Sequence, residues 1–120
     1  MNKEQAKEII KPGWYGLIDT VYAISNILGF AKIISITMHH SMLQINFAAS
    51  LDKAEQYILN SIAYKIERES AKTCEQCGHV GVRRKLILNT PCLCTVCYTI
   101  RYNEIMESRS LQVTNQENQN

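Results

Sequence analysis

Two pairs of cysteines, Cys74-x2-Cys77 and Cys94-x2-Cys97, stand sixteen residues apart. A two-residue gap lets both thiolates of a pair face one point while backbone amides donate to the sulfurs. Two such knuckles complete a tetrahedron of soft ligands, the donor set that suits Zn²⁺. The gap between the pairs falls within the spacing of about 15–20 residues typical of zinc sites. Gly78, directly after Cys77, permits the tight turn of a knuckle. The pattern predicts one structural zinc ion on Cys74, Cys77, Cys94 and Cys97, inside a C-terminal zinc ribbon.

Other readings of the cysteines compete with this one. Buried thiols used as small apolar side chains have no reason to adopt paired spacing. A redox Cys-x-x-Cys expects a single motif beside a βαβ unit. An iron–sulfur cluster also takes four thiolates, so spacing alone leaves it open, behind zinc. Cys92 offers a shifted register, since its four-residue gap to Cys97 still fits a zinc site. The Cys94–Cys97 pair is preferred because it mirrors the first knuckle, which leaves Cys92 a spare, buried, inert thiol. His79 is either a stand-in ligand or a hydrogen-bonding residue of the ribbon turn. Four cysteines close the coordination shell, and no His-x-Glu, His-Glu-x-x-His, P-loop or Ser-His-Asp pattern accompanies them. The expectation is a protein that is not an enzyme.

A chain of 120 residues predicts one domain, or one domain with a small appended module. The N-terminus alternates charges and has no apolar leader, and no apolar run approaches the roughly 18 residues of a membrane span. A cytoplasmic location follows as the expectation. Reduced thiols there favour metal over disulfides for five cysteines within 24 residues. Net charge is +2, too small to imply nucleic acid by itself. Residues 1–70 are neutral and residues 71–109 carry +3, but zinc held by four thiolates adds −2 there.

Periodicity supplies the rest of the fold. Residues 1–11 read as a polar helical lead-in, broken at Pro12-Gly13. Trp14, Leu17, Ile18, Val21 and Tyr22 recur at helical spacing, which predicts a helix over 13–28. Ile34, Ile36 and Met38, then Leu43, Ile45 and Phe47, alternate with polar residues, which predicts a hairpin turning at His39-His40-Ser41-Met42. Asp52 and Glu55 resemble a capping box at the start of a helix over 52–71. Its expected inner stripe is Ala54, Tyr57, Ile58, Ser61, Ile62, Lys65 and Glu69, apolar in its first half. A strand-like stretch runs from Val82 to Leu88, a turn follows at Asn89-Thr90-Pro91, and a short helix is expected over 95–107. The fold class is therefore α+β: helix, two-stranded antiparallel hairpin, helix, then the zinc ribbon with a short terminal helix. Residues 1–72 form the first region, 73–107 the ribbon packed on it, and 108–120 an expected disordered tail.

Gly13-Trp14-Tyr15-x-Leu17-Ile18, the hairpin, the run Ser70-Ala71-Lys72-Thr73-Cys74-Glu75-Gln76-Cys77-Gly78, then Gly81, Arg83, Arg84 and Cys94-x2-Cys97 resemble small uncharacterised proteins encoded by bacteriophages and prophages. The resemblance covers roughly residues 12–98. It implies this architecture and a phage or mobile-element origin, and no mechanism. The resulting expectation is a non-enzymatic, zinc-stabilised interaction protein that binds and modulates a host or phage protein. The alternative is a nucleic-acid-binding ribbon using Arg83, Arg84 and Lys85, with Arg101 nearby. Tyr57, Tyr64, Tyr98 and Tyr102 could stack bases, but at helical spacing they read better as partial core. No small-molecule ligand is indicated.

Overall fold

The computed structural model describes residues 1–86 and 89–118, with side chains described as far as Ser110. Asn2 opens helix α1, Lys3–Ile9, through a reciprocal capping box with Gln5. This lead-in is more than polar, because Ala6 and Ile10 enter the core. Pro12–Trp14 make one 3-10 turn, and α2 follows as Tyr15–Ile27. Its inner stripe is the expected one, with Trp14, Ile18 and Val21 fully buried.

Strands β1, Ile33–His39, and β2, Met42–Phe47, pair antiparallel. The turn is made by His40 and Ser41, with φ of 50° and 61°. Two positive φ values match the right-handed twist of a two-residue hairpin. One face differs from expectation. A bulge between Ile33 and Ser35 turns Ile34 outward, at 59% exposure, and brings Ile33 against the core. Ile36, Leu43 and Ile45 remain inside.

Asp52 caps helix α3, Lys53–Ser70, by accepting from the Glu55 N–H. The inner stripe of α3 is Leu59, Ile62, Ala63, Ile66 and Ser70, which shares only Ile62 with the stripe read from the sequence. Tyr57 and Ile58 face outward, at 74% and 40% exposure. Aliphatic side chains at steps of three and four pack closely on the hairpin, whereas a tyrosine hydroxyl there would have to find a buried partner.

Helix α3 also closes the outer edge of β2. The Leu43 N–H donates to Ser70 Oγ at 2.9 Å, and the Ile45 N–H to Glu67 Oε1 at 3.1 Å. The outer edge thus presents no bare donors at these two positions. Ser70→Ala would leave the buried Leu43 N–H without a partner, a loss of about 1–3 kcal/mol that urea unfolding would read directly. An unchanged midpoint would show that water replaces the hydroxyl.

The ribbon has shorter strands than expected. Val82–Arg83 (β3) pairs antiparallel with Cys92–Leu93 (β4), and an isolated bridge joins Thr73 to Val80. Of the strand expected over 82–88, residues 87–88 lie outside the described residues. Helix α4 begins at Thr95 and runs to Asn118, beyond the end expected at residue 107 and through most of the expected disordered tail. The sequence holds no Gly or Pro after Pro91 to stop it. Among the described residues no helix is long and apolar enough to cross a membrane.

Candidate metal centre

Each cysteine pair is shaped by its own local structure. In the first, the Cys74 N–H donates to the His79 carbonyl and the Gly78 N–H to the Cys74 carbonyl, at 2.7 and 2.9 Å. Gly78 sits at φ +85°, where any Cβ would be strained. In the second, Cys94 precedes the first residue of α4. Its Sγ accepts from the Cys97 N–H at 3.4 Å, the role an N-cap oxygen plays elsewhere. The two-residue gap is thus set by a glycine turn on one side and a helix start on the other.

These two arrangements bring all four sulfurs, of Cys74, Cys77, Cys94 and Cys97, within 4.8 Å of one another. The Cys77 and Cys94 sulfurs are 3.6 Å apart. Ligands held about 2.3 Å from a tetrahedral zinc ion stand about 3.8 Å from each other, so the spacing fits a metal ion. Cys74 is buried, Cys94 and Cys97 half-buried and Cys77 exposed. The centre therefore lies at the surface, on one buried anchor.

The four thiols sit in unequal electrostatic environments. Burial works to raise the Cys74 thiol, but the backbone N–H groups of Cys94, Cys77 and Gln76 outweigh it and bring it to about 6. The Cys97 N–H, ahead of smaller opposing effects, lowers Cys94. The His79 N–H pulls Cys77 down, yet burial and the Cys74 and Cys94 sulfurs leave it raised. Burial first, then the neighbouring sulfurs, pushes Cys97 far up. Cys74 and Cys94 are thus drawn toward the thiolate, and Cys77 and Cys97 toward the thiol. A divalent ion is the partner that allows all four to ionise together.

Cys92 stands apart from the four. Its thiol is buried, donates to the Ala71 carbonyl at 3.3 Å and belongs to the apolar core. Burial, then the charge of Cys74, pushes its pKa up. The Cys92 register is not the one the structure assembles. His79 does not join the cluster either; its Nδ1 lies 3.2 Å from Cys77 Sγ, a hydrogen bond to one of the four sulfurs.

Of the four basic side chains expected to meet nucleic acid, the three arginines have partners inside the chain. Arg83 donates to the His40 carbonyl and ties the ribbon to the hairpin tip. Arg84 donates to the Leu93 carbonyl and to Thr95 Oγ1, both at 3.3 Å, and lies over the Tyr98 ring. Arg101 pairs with Glu104 at 3.6 Å. Lys85 is exposed.

Sequence reading missed the residues that join this centre to the rest of the protein. The Gly13 N–H donates to the Glu75 carbonyl at 2.7 Å, and Trp14 Nε1 donates to the Thr73 carbonyl at 2.9 Å. Both bonds end beside Cys74. The signal was the Gly13-Trp14 pair itself, a small residue next to a large one with an N–H to place. The whole forms an α+β protein with a clustered-cysteine ribbon as its candidate metal centre. No family model matches the chain, and neither does any curated protein or solved structure.

Proposed function

We propose that the centre holds one structural zinc ion and that the protein acts by presenting a zinc-braced surface to a protein partner, without catalysing a reaction. Four thiolates leave no open coordination position for water or substrate, which favours a structural ion. The paired knuckles favour zinc over the other metals that accept four sulfurs.

The observation that carries the binding role is a groove of about 550 Å³. Its walls come from the hairpin tip (Met38, His40), the first knuckle (Glu75) and the ribbon with α4 (Leu93, Ile100, Arg101). These elements are distant in sequence and meet through the cysteine centre and through the Arg83–His40 and Ser41–Thr90 hydrogen bonds. Zinc would thus assemble the surface as well as the fold. A host or phage protein as the partner accords with the resemblance to phage-encoded proteins. Ile100→Asp would put a charge in the groove wall and should abolish capture of the partner from a lysate while zinc content stays unchanged. Equal capture by both proteins would remove the groove from the interface, and no specific capture would sink the reading.

Cys92→Ser tests the ligand set. It should keep one zinc per chain by metal analysis, with stability lowered by about 1–2 kcal/mol for a polar atom placed in the core. Loss of the metal would mean that Cys92 is a ligand.

A further inference from the structure

We infer that the outer face of α3 is a binding surface for single-stranded nucleic acid. This surface is separate from the basic strand, whose guanidinium groups are engaged within the chain. Tyr57, Ser61, Tyr64 and Arg68 follow one another at steps of four, three and four, and so share one helix face. All four are exposed, Tyr57 at 74% and Tyr64 at 63%. The Arg68 guanidinium lies over the Tyr64 ring, 5.6 Å from its centre. Lys53 stands one turn before Tyr57, and Lys65 lies beside Tyr64.

Positive charge outweighs negative on this face. Among the described residues, Lys53, Lys65 and Arg68 have no carboxylate within ion-pair distance. Two of the three carboxylates of α3 lie elsewhere. Glu67 turns in to the Ile45 N–H and Glu55 lies near Ser50 Oγ, while the exposed Glu69, one turn after Lys65, borders the face. The net positive charge favours an anionic partner.

Two observations select a nucleic acid strand over an acidic protein surface. Lys53, Lys65 and Arg68 are spread along the helix beside the two tyrosines, a basic track interleaved with aromatic rings that suits a single-strand backbone. Tyr57 and Tyr64, two helical turns and about 10 Å apart, offer two exposed aromatic faces in line, the platform on which unpaired bases stack. Stacking needs no base identity, so binding would be indifferent to sequence. A duplex keeps its bases stacked on each other and would gain only the charge contacts.

The test uses the full zinc-loaded chain and a fluorescein-labelled twelve-residue oligothymidylate, followed by anisotropy at several salt concentrations. Binding should weaken with salt, with a log–log slope of about −2 for three phosphate contacts. Tyr57→Ala and Tyr64→Ala should each weaken it about fivefold or more. Arg68→Gln should make the slope shallower by about 0.7. Circular dichroism and zinc content would establish that these surface variants remain folded. No binding at low salt, tyrosine variants that bind as well as wild type, or a duplex that binds as tightly as the single strand would each overturn the proposal. Binding of polyglutamate in place of the oligonucleotide would also overturn it, in favour of an acidic protein.

Discussion

Cys74→Ser is expected to abolish zinc loading and to unfold the protein at 25 °C. Cys74 is fully buried, and its neighbours carry the joints of the fold. The residue before it accepts from Trp14 Nε1, and the residue after it accepts from the Gly13 N–H. Structural zinc contributes about 10–16 kcal/mol of apparent binding free energy in small zinc-finger peptides. A domain of this size has about 5–15 kcal/mol of stability in total. Losing the ion therefore removes an amount comparable to the whole. Trp14, the sole tryptophan and fully buried, reports the outcome by fluorescence. Its emission should shift to the red in Cys74→Ser, and in wild type treated with a chelator, where added zinc should restore it. Native emission from metal-free protein would show that the core stands without the centre, and the structural role assigned to zinc would fall.

The candidate site was legible because its chemistry is local. Two residues between thiols, Gly78 after one pair and a helix-compatible run after the other are all readable along the chain, and the four sulfurs meet as that spacing implies. The elements were legible for a similar reason: Asp52 caps α3, and the hairpin turns within the expected four residues. What escaped was set by contacts between elements. The bulge that turns Ile34 outward exists only in relation to β2. The buried face of α3 depends on which side meets the hairpin, and periodicity alone allowed a stripe through Tyr57 as well as one through Leu59. Arg83 and Arg84 resembled free cations because their acceptors, His40 and Leu93, are carbonyls, which a sequence does not single out.

Gly13→Ala and Gly16→Ala make the same chemical change three residues apart and should have opposite signs. A Cβ on Gly16 meets nothing within 4 Å, and the residue lies in α2. Alanine favours a helix over glycine by about 0.5–1 kcal/mol, so Gly16→Ala should stabilise by about that amount. A Cβ on Gly13 would lie 2.0 Å from the Cys74 carbonyl oxygen and 2.5 Å from the Glu75 carbonyl carbon. Both are backbone atoms of the first knuckle, so no side chain can swing aside. Relief requires the Pro12–Trp14 turn to back away. That breaks the Gly13–Glu75 hydrogen bond and draws Trp14 from its seat at the Thr73 carbonyl. Strain of about 1–3 kcal/mol and a buried donor or acceptor left unpaired, about 1–3 kcal/mol more, set a loss of about 2–6 kcal/mol. Thermal unfolding of the zinc-loaded proteins compares the two directly. Gly13→Ala should melt roughly 8–24 °C below wild type, since about 1 kcal/mol moves a domain of this size by about 4 °C. A melting temperature within a degree or two of wild type would mean that the N-terminal turn does not dock on the knuckle. Zinc would then brace the ribbon alone, and the wider assembly of the groove would need another cause.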